Sequence, residues 1–254
     1  MTDLRWLAGR VAVVTGSGGA MGGAIAQRLA AAGAQLVLND RVADRVDAHR
    51  AAVEAHGVNA VSVVASTSRS EGANAVIAAA LDTWGRLDVL VNTVGGIKGP
   101  VQAPVWEITD EDWDATLAIS LTSAFRCTRA AAPVMIGQRS GKIVNIASTS
   151  WAPPDSALHP HYAAAKAGIV AFTRSVALQL APYDVTVNAV APGATRRSTD
   201  VALEGGDVAG ADVPLGRINE PSDIAGAVAY LVSPDARNVS GQLLTVAGGL
   251  NPTL

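Results

Sequence analysis

The chain has 254 residues, of which 49% are hydrophobic, 16% charged and 4% aromatic, and 19 basic against 22 acidic side chains give a formal net charge of -3. A near balance without a dense Lys/Arg run leaves no electrostatic footprint for a nucleic-acid backbone. No stretch approaches 18 uninterrupted apolar residues, which argues against a membrane-spanning helix. Met1 to Arg10 contains Asp3 and no apolar core of the kind an export signal needs, so a cytoplasmic protein is expected. Cys127 is the only cysteine, which rules out an intrachain disulfide and suits a reducing compartment. A chain of this length buries roughly 70 to 75% of its unfolded surface without help from a metal, and one large domain over residues 1–254 is the simplest organisation.

Short β-branched runs alternate with longer helical stretches along the chain. Strands are predicted over Val11–Thr15, Gln35–Asn39, Ala60–Val64, Asp88–Asn92, Lys142–Ala147, Val185–Val190 and Gln242–Val246. Helices fall between them, among them Met21–Ala32, where Ile25 and Leu29 share a face and Gly33 supplies a stop, and Ser222–Val232 after Pro221. Near-continuous apolar strands belong to a sheet covered on both faces, and regular alternation with helices calls for an α/β, doubly wound arrangement with a parallel seven-stranded sheet. The one long irregular region, Pro192 to Pro214, is interrupted by Gly205, Gly206 and Gly210 and reads as a mobile substrate loop.

The first strand runs into Thr15-Gly16-Ser17-Gly18-Gly19-Ala20-Met21-Gly22-Gly23, at the turn before a helix. There the backbone can approach a pyrophosphate closely, and the helix N-terminus offers free N–H groups and partial positive charge to its oxygens. A P-loop is excluded, because no Lys-Ser or Lys-Thr pair closes the cluster. The second strand ends at Asp40, 18 residues after Gly22, where a carboxylate can accept from adenosine ribose hydroxyls and would repel a 2′-phosphate. This favours NAD over NADP; Arg41, a guanidinium able to clasp that phosphate, points the other way, and Asp40 also reads as a helix cap.

Tyr162 and Lys166 stand at i and i+4, on one face of a helix. A tyrosine titrates near pH 10, but a nearby cation favours its phenolate, making Tyr162 a candidate general acid/base. Ser148 follows the fifth strand, and the carboxyl ends of parallel strands are where open sheets gather catalytic groups. Neighbouring Ser150 is an alternative hydroxyl at that strand end, and a plain turn role for Ser148 stays open.

Taken together, these spaced motifs are similar, over almost the whole chain, to the classical short-chain dehydrogenase/reductase family. Thr15 to Gly22 resembles its TGxxxGxG, Asn92 to Gly95 its NNAG, Ser148 with Tyr162 and Lys166 its catalytic set, and Pro192-Gly193 its post-strand PG. The resemblance implies a Rossmann-type fold, a nicotinamide cofactor, a small-molecule alcohol or ketone as substrate and a homotetramer with helical faces over Asp110–Gly137 and Pro160–Leu180. It implies that Tyr162 exchanges a proton with the substrate oxygen, Lys166 binds the nicotinamide ribose and lowers the tyrosine pKa, and Ser148 polarises the carbonyl. Cofactor contacts are implied at Gly16, Ser17, Gly19, Ala20, Met21 and Gly22 in the turn, at Asp40 and Arg41, and at Ser66 and Thr67. Further contacts are implied at Asn92, Val94 and Gly95, at Tyr162 and Lys166, and at Pro192, Gly193 and Thr195.

The pattern is broken in several places. Ser120 stands where the family has an asparagine that holds a relay water; its hydroxyl can still bind water. Ala20 replaces a glycine, Thr93 and Val94 replace the middle of NNAG, and Ser66 takes the place of an adenine-contacting aspartate. Trp151, His159, His161, Thr195, Arg196 and Arg197 are candidates for the substrate side, with Arg196 or Arg197 able to meet an anionic substrate or the pyrophosphate. The simpler reading for most of the two histidines and two arginines is that they are ordinary loop residues facing water. His49 and His56, seven apart, and His159 and His161, flanking a proline, offer no metal-ligand spacing, so no metal is expected. The expected activity is NAD-dependent interconversion of a secondary alcohol and a ketone. The alternatives are a 3-oxoacyl carrier-protein reductase using NADPH and a non-catalytic dinucleotide-binding sensor or scaffold.

Overall fold

The structure, a computed structural model, describes residues 5–152, 159–196 and 213–250. Among them seven strands, β1 (Val11–Thr15), β2 (Gln35–Asp40), β3 (Ala60–Val64), β4 (Val89–Asn92), β5 (Gly141–Ile146), β6 (Val185–Pro192) and β7 (Leu243–Val246), form one sheet in the order β3-β2-β1-β4-β5-β6-β7. Every pairing is parallel. The helices are α1 (Ala20–Ala31), α2 (Ala43–Glu54), α3 (Ser70–Trp84), α4 (Asp110–Leu117), α5 (Ser123–Gln138), α6 (Pro160–Leu180) and α7 (Pro221–Val232). β1 and β3 have the bounds read from the sequence, and the ends of the other five strands differ by one or two residues. The largest change is in β6, which continues through Ala191 and Pro192 by pairing with Thr245 and Val246 of β7.

Side chains alternate across β1 and fill a core on each face. Ala12 and Val14 join Ile25 and Leu29 of α1 and Ile224, Val228 and Leu231 of α7, while Val11 and Val13 join Val76 and Ile77 of α3, Met135 of α5 and Leu180 of α6. This two-sided burial is why the strands read as unbroken apolar runs rather than alternating ones. Cys127 belongs to the second core, where burial pushes its thiol up to about 12 and keeps it protonated.

The chain leaves β1 for β2 on one side and returns to β4 on the other. Their carboxyl ends, Thr15 and Asn92, therefore flank the crevice where open parallel sheets take ligands. The helix predicted before β5 is two helices joined by a π-helical turn, Ala118–Thr122, which contains Ser120. Such turns leave the regular i→i−4 ladder and aim a side chain differently. Along the faces expected to pair in a tetramer, Trp113, Phe125 and Leu178 are exposed. No helix among the described residues is long and apolar enough to cross a membrane.

At the opposite, amino end of the sheet, Asp88 accepts from Arg10 Nη1 (2.9 Å), Val11 N–H (2.9 Å), Arg86 Nε (2.8 Å) and Arg86 Nη2 (2.7 Å). Burial works against its charge, but the hydrogen bonds from Arg86, Val11 and Arg10 outweigh it and hold the carboxyl below the usual range. A carboxyl depressed on folding contributes stability above its unfolded pKa, about 3.9, and loses it as pH falls through the folded value. Asp88→Asn is expected to lower unfolding free energy at pH 7 by about 2 to 3 kcal/mol, since half-exposed arginines screen part of the pair. The gap from the unsubstituted protein should close in denaturant titrations run below about pH 3.9; equal stability at pH 7 would contradict this role.

Candidate active site

At the end of β1 the backbone turns sharply and α1 packs back on it. Gly16 has φ +66, and a side chain there would press on Val94. A Cβ on Gly22, in the first turn of α1, would overlap the Gly16 carbonyl and sit 2.9 Å from Ser17 Cα, so only glycine lets the helix start this close to the strand. Gly19 caps α1 without a side-chain bond, and the first turn holds no acidic residue. The helix N–H groups are therefore left to a ligand, in the geometry that binds pyrophosphate. Ala20 lies within α1 and is not among the residues with positive φ, so its methyl carries no backbone strain. Ser17 is fully buried, with its N–H and hydroxyl both donating to the Asn39 carbonyl at 2.9 and 3.3 Å.

Asp40 closes the other side of the turn. Its Oδ1 accepts from the N–H groups of Arg41 (2.7 Å) and Val42 (3.2 Å). Oδ2 faces the glycine turn, 2.9 Å from where a Cβ of Gly18 would stand. The plain helix-cap reading of Asp40 is corrected: α2 is capped at Val42 without a side-chain bond, and Asp40 Oδ1 instead braces the two N–H groups ahead of the helix, leaving Oδ2 toward the turn. Arg41 is exposed. Ser66, also exposed, shares a hydrogen bond with Ser68 (2.8 Å), whereas Thr67 is buried.

Across the crevice, β5 leads to Ser148, whose Oγ accepts from Ser150 N–H at 3.2 Å. Its own O–H makes no bond to a described residue and can turn to a ligand. The short helical turn after it packs on α6, which begins at Pro160 and carries Tyr162 and Lys166. Lys166 Nζ lies 5.5 Å from the centre of the Tyr162 ring and donates to the Ile146 carbonyl at 2.7 Å. Burial alone brings the Lys166 ammonium down to about 8. At neutral pH it keeps its proton, and a cation beside a phenol favours the phenolate.

Between the two halves runs the backbone after β4. Asn92 turns its amide inward, donating to Asn145 Oδ1 (2.8 Å) and Thr128 Oγ1 (3.2 Å), and Asn145 continues to Thr173 (2.9 Å). The Asn92 side chain thus braces β4, β5 and α5. Thr93 N–H donates to Thr15 Oγ1 at 3.1 Å, tying the ends of β1 and β4. A Cβ on Gly95 would stand 3.0 Å from Lys166 Nζ and 3.5 Å from Ser120 Oγ. Ser120 is fully buried; its hydroxyl donates to Gly96 O (3.1 Å) and accepts from Gly96 N–H (3.2 Å). The expectation of a hydroxyl turned to water is corrected in part: its proton belongs to Gly96, and a single acceptor position remains.

On the substrate side, Arg197 lies outside the described residues, as does most of the expected loop. Arg196 is engaged with Glu220 (2.8 Å), just ahead of α7. Thr195 donates to the Gly193 carbonyl (2.9 Å) and bridges Asn219, while Gly193, after Pro192, donates its N–H to Val246 O (2.9 Å). Trp151 is half-buried on α6. His161 does not face water: it is fully buried in the first turn of α6 with Nε2 3.1 Å from the Lys98 carbonyl, and His159 Nδ1 bonds the Val101 carbonyl. Sequence reasoning missed the Lys98 and Thr116 partners; the helical phase of His161, opposite Lys166 on α6, was the available signal.

A glycine cradle at the β1/β4 switch point, an acidic strand end and a Tyr162/Lys166 pair at the carboxyl end of β5 are the parts of a Rossmann-type dinucleotide-binding oxidoreductase. Residues 16–251 match a family model described as Enoyl-(Acyl carrier protein) reductase. A 3-oxoacyl-[acyl-carrier-protein] reductase of Synechocystis is 36% identical over 248 residues, covering 96% of this chain and 98% of the relative. A (2S)-[(R)-hydroxy(phenyl)methyl]succinyl-CoA dehydrogenase subunit of Thauera aromatica is 35% identical over 94% of this chain and 96% of its own. The crystal structure of NAD+-bound xylitol dehydrogenase superposes with a TM-score of 0.88 at 30% identity, covering 96% of this chain and 99% of that one. The chain belongs to the classical short-chain dehydrogenase/reductase family.

Lys166 should carry a measurable stability penalty. The unfolded chain keeps this proton to about pH 10.5 and the folded one releases it near 8, so from about 8 to 10.5 the unfolded state binds more protons and stability from this group rises with pH. Below 8 the whole burial penalty stands. Lys166→Met is expected to raise unfolding free energy at pH 7 by about 2 kcal/mol, roughly 3 from the relieved charge less about 1 for the hydrogen bond lost at Ile146. The gain should shrink toward pH 10 in thermal melts, and a variant less stable at pH 7 would contradict it.

Proposed function

We propose that the protein interconverts a small secondary alcohol and its ketone with NAD, using Tyr162 as general acid/base. The carrying observation is the buried Lys166 ammonium over the Tyr162 ring, bonded to the Ile146 carbonyl at the carboxyl end of β5, the strand that leads to Ser148. The bound nicotinamide supplies the hydride acceptor in oxidation and the hydride donor in reduction. Ser148 donates its O–H, which makes no bond to a described residue, to the substrate oxygen and holds it toward the phenol. In the oxidative direction Tyr162 takes the hydroxyl proton as phenolate, and in reduction its phenol returns a proton to the carbonyl oxygen. Lys166 keeps that phenolate within reach near neutral pH and offers its remaining N–H groups to the nicotinamide ribose. Ser120 acts on this set through Gly96, as a positioning residue.

Asp40 supports NAD: Oδ2 faces the glycine turn and remains a carboxylate acceptor suited to two ribose hydroxyls and hostile to a phosphate. A second reading, reduction of a 3-oxoacyl thioester with NADPH, is favoured by relatives that are 3-oxoacyl-[acyl-carrier-protein] reductases and by the exposed Arg41 next to Asp40. The two separate in one screen, secondary alcohols with NAD against 3-oxoacyl thioesters with NADPH.

For whichever substrate turns over, Tyr162→Phe should lower kcat by about 10²- to 10⁴-fold while dinucleotide binding stays within about twofold. Turnover undiminished in that variant would remove Tyr162 from the chemistry.

A further inference from the structure

We propose that His161 is a positioning residue for Tyr162: its hydrogen bond to Lys98 locks the first turn of α6 to the backbone strap that walls the Lys166 ammonium. The proposal rests on Tyr162 being the proton-transfer group.

His161 is fully buried, with Nε2 3.1 Å from the Lys98 carbonyl. A carbonyl only accepts, so the bond assigns the ring proton to Nε2 and leaves Nδ1 bare. Buried Nδ1 has no partner among the described residues. A phenylalanine would fill similar space without a desolvated, unpaired nitrogen, so what the histidine adds is the bond to Lys98.

Lys98 is also gripped from the other side. Its N–H donates to Thr116 Oγ1 at 3.0 Å, and its carbonyl receives the same hydroxyl at 3.5 Å. Two residues earlier, Gly96 exchanges hydrogen bonds with Ser120; three residues later, the Val101 carbonyl bonds His159. The strap from Gly96 to Val101 is thereby fastened to α4 and its π-helical turn on one side and to the start of α6 on the other. Gly95 directly precedes it, its missing Cβ only 3.0 Å from Lys166 Nζ. His161 thus joins the strap to the turn that carries Tyr162, while the strap sets the space open to Lys166. Slippage at this bond would change the 5.5 Å separation of ammonium and phenol ring on which their coupling depends.

The chain has three tyrosines, 162, 183 and 230, so protein labelled with 13C at tyrosine Cζ gives three resonances, and Tyr162→Phe assigns one of them. In the unsubstituted protein the Tyr162 signal is expected to titrate below pH 10, the value of free tyrosine. His161→Phe should move that titration upward by about half a pH unit or more, leaving the Tyr183 and Tyr230 signals in place. His161→Gln, whose amide N–H can reach the Lys98 carbonyl, should restore it. An unmoved Tyr162 titration in folded His161→Phe would overturn the proposal, as would the same upward move in His161→Gln. Should His161→Phe fail to fold, Thr116→Val decides the matter: releasing Lys98 from the other side must move the Tyr162 titration in the same direction, and no movement overturns the proposal. A Tyr162 that titrates as a free tyrosine both before and after Lys166→Met would instead refute its acid/base role, whatever the His161 variants do.

Discussion

The approach of α1 to the end of β1 leaves no room for a single carbon atom. A Cβ on Gly22 would overlap the Gly16 carbonyl, and the same side of the sheet shows the constraint twice more. A Cβ on Gly18 would meet Arg45 Cβ at 2.6 Å and Asp40 Oδ2 at 2.9 Å, and one on Gly23 would run into the His49 ring. Three glycines therefore let α1, α2 and the end of β2 converge on one turn. That convergence brings the uncapped N–H groups of α1 and the Asp40 carboxylate to a common mouth, as a dinucleotide with a pyrophosphate and a ribose diol requires. Burial lowers the pKa of His49 and favours its neutral ring in this packing.

The opposite half of the crevice is governed by a charge in the wrong place for stability. Lys166 is fully buried, its hydrogen-bond acceptor among the described residues is the Ile146 carbonyl, and Gly95 gives it space by having no side chain. A buried ammonium with so little compensation is unfavourable for folding and useful for chemistry, because in a poorly solvated site its field at a neighbouring phenol is only weakly screened. The polar chain Asn92–Asn145–Thr173 ties β4 and β5 to α6, the helix that carries the charge, so this part of the site is held by hydrogen bonds as well as packing.

Much of this was legible before any coordinates. β-branched runs located all seven strands because both faces of the sheet are buried, and the glycine spacing, Asp40 and the Tyr162/Lys166 interval each have a local cause. What was not legible depends on long-range contacts. The strand order, with β1 between β2 and β4, follows from tertiary packing rather than any local pattern. The π-helical turn at Ser120 has no propensity signature, and only the structure shows its hydroxyl donating to and accepting from Gly96, 24 residues away. The water-facing reading of His161 fails because its partner Lys98 lies 63 residues earlier in an irregular segment; Arg196 is the loop residue expected, but its pairing with Glu220 arises only when α7 docks.

The central claim is that the glycine turn and Asp40 together form the nucleotide site and select NAD. Fluorescence titrations with NADH and NADPH, run on the unsubstituted protein, Gly22→Ala and Asp40→Ala, test it most directly. The account predicts tighter binding of NADH than of NADPH, loss of both in Gly22→Ala, and loss or inversion of the preference in Asp40→Ala. NADPH bound as tightly as NADH, or a preference untouched by Asp40→Ala, would mean that Arg41 outweighs the carboxylate and would contradict it.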